Sequence, residues 1–185
     1  MKETMRIIVI GMKGCGKTTV GTLLAERLQI PFVDSDTEIE KMHKRDRGEA
    51  LAFREIFKQY GETYFHALDT RTIKHIAEEF GNRDFVFACG GRTPLREENQ
   101  EILAGLGTIV FLNVEKAALL RRILAQGTPA FFPYQDDPER SLDELLAERL
   151  PVYKRLADRT IHISEETPEE LVSTIMTELR DYGKN

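Results

Sequence analysis

The pattern of apolar and polar positions opens with an unbroken β-branched run, Ile7-Ile8-Val9-Ile10, that stops at Gly11. A run apolar at every position, rather than at alternate ones, predicts a strand covered on both faces. The same signature returns at Phe85-Val86-Phe87-Ala88 and Thr108-Ile109-Val110-Phe111-Leu112, with shorter runs at Pro31-Phe32-Val33 and Thr160–Ile163. Helical spacing lies between them: Val20, Leu23, Leu24 and Leu28 after the first strand, and Phe65, Leu68, Ile73 and Ile76 in a helix opened by Gly61-Glu62. A charged helix is expected from Thr37 to Arg47, where Gly48 breaks it, followed by a further stretch to Tyr60. Later helices are expected up to Ala104, from Lys116 to Ala125, from Leu142 to Ala157 and from Glu169 to Leu179. Residues 126–140 hold Gly127, Pro129, Pro133 and Pro138 and read as a mobile loop.

Strands alternating with helices predict an α/β fold. The expectation is a doubly wound five-stranded parallel sheet with helices on both faces, one domain over residues 1–185, and a lid at 126–140. Ligands of such sheets gather beyond the carboxyl ends of the strands. Gly11–Thr19, Asp34–Asp36 and Cys89–Arg92 each follow a strand directly, so they should line one crevice.

The first of these stretches fits G-x-x-x-x-G-K-[ST] between a strand and a helix, the setting that a phosphate-binding loop requires. Gly11, Gly14 and Gly16 let successive N–H groups converge on an anion, with Cys15 and Thr19 contributing from the same loop. The helix opening near Lys17 turns its positive end toward the same point. Lys17 can then reach the β- and γ-phosphates of a nucleoside triphosphate, and the Thr18 hydroxyl can ligate Mg²⁺.

Asp34 and Asp36 offer two carboxylates one residue apart at a strand end. One can cap the helix expected at Thr37. Alternatively Asp34 joins the Mg²⁺ shell while Asp36 holds an acceptor hydroxyl, as base or orienting group, and both arrangements can coexist. Gly90-Gly91 is either a simple turn or a place where an acceptor approaches the backbone. Arg149 is by default a solvated helix residue, with anion binding beside the lid as the alternative. Arg121 and Arg122 either complement a helix C-terminus or place one guanidinium over an adenine face. His75 reads as an ordinary helix histidine, and Cys15 and Cys89 as small loop residues without the base a nucleophile needs.

Composition narrows the partners. A net charge of −5 without a basic stripe argues against nucleic acid and against a membrane surface. No apolar run approaches the roughly 20 residues of a span, and no signal-peptide profile is present. Two cysteines and four histidines form no disulfide framework and no metal-site spacing, so a reducing cytoplasm is the expected compartment. Neither Asp-x-x-Gly nor Asn-Lys-x-Asp occurs, which removes a GTP switch.

Along nearly its whole length the chain resembles the shikimate kinases. The resemblance rests on Gly11–Thr19, Val33-Asp34-Ser35-Asp36 with Ile39-Glu40, Ile56-Phe57, Gly61-Glu62-Thr63-Tyr64-Phe65, Gly90-Gly91 and Arg149-Leu150-Pro151-Val152-Tyr153, in that order and spacing. It implies an ATP- and Mg²⁺-dependent kinase of aromatic amino acid biosynthesis, a monomer acting on a small hydroxylated metabolite. By resemblance Lys17 and Thr18 serve ATP and Mg²⁺, and Asp34 lies in the metal's outer shell. Asp36 holds the acceptor hydroxyls, Gly90 and Gly91 meet the acceptor ring, Arg149 binds its carboxylate, and Arg122 stacks on adenine.

Three positions depart from the family pattern. His66 stands where the family has a carboxylate-binding arginine, and Arg92 replaces the third glycine of a triplet. The segment from Ile123 to Glu139 contains no Lys or Arg, where a lid arginine is expected. Either Arg92 reaches into the acceptor pocket and takes over, or the pocket suits a less anionic acceptor through His66, Phe131, Phe132 and Tyr134. Shikimate is the expected acceptor. The rivals are a kinase for another acceptor and a nucleotide-binding regulatory relative without transfer.

Overall fold

A computed structural model describes residues 5–182. The elements are β1 (Arg6–Ile10), α1 (Lys17–Leu28), β2 (Phe32–Asp34), α2 (Ser35–Arg47), α3 (Phe53–Phe80), β3 (Phe85–Ala88), a 3₁₀ turn (Thr93–Leu95), α4 (Glu97–Leu106), β4 (Thr108–Val114), α5 (Lys116–Leu124), α6 (Pro138–Leu156), β5 (Arg159–Ile163) and α7 (Pro168–Tyr182). The strands form one sheet in the order β2-β3-β1-β4-β5, every pair parallel. This is the doubly wound sheet expected from the sequence.

β1 is central, with Ile8 opposite Phe87 of β3 on one side and Ile109 of β4 on the other. Ile7 to Ile10, Phe85 to Val86 and Ile109 to Leu112 are all buried, because helices cover both faces. The apolar stripes of α1 and α7 complete that main core. A second, smaller cluster of Ile39, Met42, Ile56 and Leu68 joins α2 to α3, with Phe53, Tyr60, Tyr64 and Phe65 packed around it. No helix among the described residues is long and apolar enough to cross a membrane.

Three boundaries differ from the sequence expectation in informative ways. α2 begins at Ser35, two residues early, because Asp34 accepts from the Asp36 and Thr37 amides and starts the helix there. α3 runs from Phe53 to Phe80 with one break at Gly61, whose φ of 78° and ψ of 176° interrupt the helix where a new one was expected. The expected 126–140 loop loses its last residues to α6, which Pro138 opens and Asp137 caps through the Arg140 amide at 3.1 Å. Nor is that loop unpacked: Phe132 is buried in the main core and the Tyr134 amide donates to Ser141 Oγ at 2.9 Å.

Two glycines near the start of β4 give the packing a test with opposite signs. A Cβ on Gly107 falls on the Arg6 carbonyl oxygen and 2.6 Å from Arg6 Cβ, so β1 and the α4–β4 turn must move apart. A Cβ on Gly105, inside α4, meets nothing within 4 Å. Gly107→Ala is expected to destabilise the fold by about 1–3 kcal/mol. Gly105→Ala should leave it unchanged or stabilise it by up to about 1 kcal/mol. Urea titration of both variants checks the pair.

Candidate active site

The loop from Gly11 to Gly16 bridges the end of β1 and the start of α1. Gly11, Gly14 and Gly16 have φ of 147°, 83° and 94°, a region that side chains disfavour. Gly11 has a second reason to lack a side chain, since a Cβ there lies 2.9 Å from both Cys15 Sγ and Leu112 O. Gly16 gives α1 no side-chain cap, and the first turn holds no acid, so the positive end of the helix is left for an outside anion. Lys17 Nζ donates to the Gly11 and Met12 carbonyls at 2.9 Å each, which folds the ammonium back across the loop mouth.

Asp34 sits where β2 meets α2 and divides its two oxygens. Oδ1 accepts from the Asp36 and Thr37 amides at 3.0 and 3.3 Å, while Oδ2 accepts from Thr18 Oγ1 at 3.1 Å. The cap expected from the sequence is therefore present, and the same carboxylate also holds the loop threonine. A hydroxyl and a carboxylate oxygen beside a phosphate loop are the hard donors that Mg²⁺ prefers, with phosphate and water completing its octahedron. Such a site needs no cluster of three acidic or histidine ligands, and none occurs among the described residues.

Asp36 follows on the first turn of α2, half-buried and free of capping duty. Burial, and then the neighbouring Asp34 charge, push its carboxyl up to about 6, with Glu40 adding and Lys17 and Arg54 opposing. Glu40 also accepts from the Phe53 amide at 3.0 Å, which ties the start of α3 to α2 and sets Arg54 beside this carboxylate.

Arg149 is not the solvated arginine that its helix composition predicts by default. It is 6% exposed, its Nη1 faces Met12 Sδ at 3.9 Å, and its Nε has no hydrogen-bond partner, the nearest carboxylate (Glu148) lying 3.9 Å away. A buried guanidinium with an open donor is costly unless an anion completes it. Tyr153, one turn on, is fully buried and donates to the Gly91 carbonyl. Arg149 and Tyr153 thus approach the phosphate loop and the Gly90-Gly91 turn from one helix face.

Gly90 is needed for internal packing, since a Cβ there lies 2.8 Å from Thr93 Oγ1 and 3.3 Å from Ser35 Oγ. A Cβ on Gly91 makes only an ordinary contact, 3.4 Å from Gly11 O, so packing does not require that glycine. His66 and Arg92 meet on one carboxylate: Glu62 Oε1 is 2.8 Å from Arg92 Nη2 and 3.4 Å from His66 Nε2. Arg122 is half-buried on α5, next to Ile123, whose Cγ1 lies 3.0 Å from a Cβ placed on Gly14. Cys15 and Cys89 are buried free thiols, and burial raises the Cys89 thiol further from ionisation. His75 pairs on the surface with Glu79.

Sequence reading missed Asp69, Glu62 and Arg54. Asp69 is buried, and burial raises its carboxyl to about 6. It accepts from Thr93 Oγ1 at 2.9 Å and Asn99 Nδ2 at 3.2 Å, which anchors the Gly90-Gly91 turn. A signal for it existed, because Asp69 lies on the i, i+4 line between Phe65 and Ile73, an acid inside an apolar stripe.

Known proteins resemble this arrangement throughout. The family model for shikimate kinase matches residues 13–180. A curated shikimate kinase of Thermobifida fusca is 39% identical over 177 residues, covering 95% of each chain. Among solved structures, the Acinetobacter baumannii shikimate kinase in complex with shikimate superposes with a TM-score of 0.84 at 29% identity, over 98% of this chain and 96% of that one. The Aquifex aeolicus shikimate kinase gives a TM-score of 0.75 at 31% identity, over 98% and 99%. With a phosphate loop on β1 and α1, Asp34 tied to it through Thr18, and these likenesses along nearly the whole chain, the protein belongs to the shikimate kinase family.

Proposed function

We propose that this chain transfers the γ-phosphoryl group of ATP to a hydroxyl of shikimate. The reading is supported by the meeting of Thr18 and Asp34 at the phosphate loop, with the raised carboxyl of Asp36 beside them and the buried Arg149 packed against Met12 of the same loop. The triphosphate lies against the amides of Gly14, Gly16, Lys17 and Thr18, where Lys17 exchanges its carbonyl partners for phosphate oxygens. Thr18 and Asp34 would hold Mg²⁺, which would supply positive charge to the phosphates. Arg149 takes the acceptor carboxylate in a charge-assisted pair. Asp36 orients the acceptor hydroxyl and accepts its proton as the new O–P bond forms and the bond to the β-phosphate oxygen breaks. Arg122 covers the adenine. Residues 126–137 close over the crevice and exclude water, so that transfer outcompetes hydrolysis.

Coupled ADP release with shikimate tests the reading directly, and tight ATP binding without turnover on shikimate would point to the regulatory relative instead. Lys17→Ala should lower turnover by at least about 10³-fold with an unchanged circular dichroism spectrum. Because the base acts ionised, kcat/KM should climb as pH rises through about 6 and level off above it. Asp36→Asn should remove both the activity and that limb of the profile. Arg149→Met is expected to raise the KM for shikimate by roughly 10- to 100-fold with the KM for ATP unchanged. The same variant should raise the thermal midpoint of the free protein, since it removes a buried guanidinium whose Nε lacks a hydrogen bond and whose nearest carboxylate is 3.9 Å away.

A further inference from the structure

The lid poses a charge problem. From Ile123 to Glu139 the chain carries no Lys or Arg, yet phosphoryl transfer gains from a cation on the equatorial oxygens of the moving group. The cations that flank the lid are engaged elsewhere. Lys116 pairs with Glu139 and Asp143 at 3.0 and 2.7 Å. Arg140 lies 3.9 Å over the Tyr134 ring and donates to its hydroxyl. Arg92 is held by Glu62, and Arg149 is buried beside Met12.

Lys13 differs from all of these. It occupies a variable position of the phosphate loop itself, two residues beyond Gly11. Its backbone amide packs at the Gly91 turn, 3.7 Å from a Cβ placed there. Its Nζ lies 5.3 Å from the centre of the Phe131 ring, so the lid sits on the ammonium. No ion pair engages it among the described residues, and its facing charges are Asp36, which attracts it, and Arg54, which repels it. The ammonium is therefore partly buried among the lid, Asp36 and the phosphate loop.

We propose that Lys13 is a catalytic residue that supplies from the phosphate loop the positive charge that the lid lacks. The inference rests on the kinase reading above. As the acceptor oxygen bonds to phosphorus and the bond to the β-phosphate oxygen breaks, the electron pair leaves on ADP and the hydroxyl proton passes to Asp36. Lys13 keeps its proton throughout and neutralises the equatorial oxygens. Phe131 seats its ring on the ammonium and withdraws it from water, which strengthens its field on the transferring group.

Two readouts on the full chain test this. Lys13→Met should lower kcat with shikimate by about 10²-fold or more, with both KM values within about threefold. Adding Phe131→Arg to Lys13→Met, which puts a guanidinium back on the lid, should recover at least about tenfold of the loss. The second readout needs no acceptor. Aluminium fluoride added to MgADP should raise the thermal midpoint of the wild-type chain beyond the MgADP value, by linkage to the transition-state mimic. Lys13→Met should keep the MgADP shift, which also shows that it folds, and lose the additional one. An unchanged kcat or an unchanged fluoroaluminate shift in Lys13→Met overturns the proposal. A wild-type chain inactive on shikimate sinks the acceptor assignment alone, and the fluoroaluminate comparison still decides the role of Lys13.

Discussion

One carboxylate couples the two halves of the site. Asp34 Oδ1 starts α2, and Asp34 Oδ2 holds the Thr18 hydroxyl at the start of α1. Two helices that would otherwise meet only through the sheet are thereby fixed end to end, with their positive termini facing one space. Since β2 is the edge strand on that side and only three residues long, it does little to orient α2 by itself. The cap is what places Asp36 at a set distance from the loop lysine. The Glu40–Phe53 bond carries the same constraint forward to α3 and the second apolar cluster. The phosphate loop and the start of α2 are thus one construction, and a change at Asp34 is felt at both.

Two of the buried polar groups that the fold leaves without a hydrogen bond lie at this end of the sheet. Arg149 Nε and Ser35 Oγ are buried without partners, and the Asp36 carboxyl is crowded toward its neutral form. Each raises the free energy of the ligand-free protein. Asp69 works in the opposite sense. Its buried carboxylate is matched by Thr93 and Asn99, so it spends its interactions on holding the Gly90-Gly91 turn still. Rigid support behind the turn and unsatisfied groups in front of it are what a preorganised binding site requires.

The elements carrying these groups were unevenly legible in the sequence. The five strands and the phosphate loop could be read because their signals are local: β-branched runs, glycines at fixed offsets, a Gly-Lys-Thr before a helix. Asp34 was readable in kind, although its double use needed Thr18 to be brought within 3.1 Å of it by the sheet. Arg149 was not readable as buried, since Glu148 and Lys154 around it look like any solvated helix, and only its packing under Met12 takes it out of water. The meeting of His66 and Arg92 on Glu62 depends on a break at Gly61 and on a loop 30 residues away. The lid's end was misplaced for a simpler reason. Pro138 is as much a helix opener as a loop former, and Asp137 before it decides the matter.

Moving the phosphate-facing cation from a lid into the loop beneath it changes what closure has to accomplish. An arginine carried on a mobile segment reaches the triphosphate only when the segment is shut, so chemistry and closure are one event. An ammonium already in the loop stands at the phosphates in every position of the lid. Closure then has only to exclude water, and the aromatic pair Phe131 and Phe132 is suited to that, one ring half-exposed over Lys13 and the other buried in the core. Phe132 and the Tyr134–Ser141 bonds moor the rear of the lid, and Gln135 ties it to the Pro129 carbonyl further forward. A lid whose charged residues over 126–137 are Asp136 and Asp137 gains nothing from long-range attraction for the anionic substrates beneath it, so added salt should slow substrate capture and leave closure no slower.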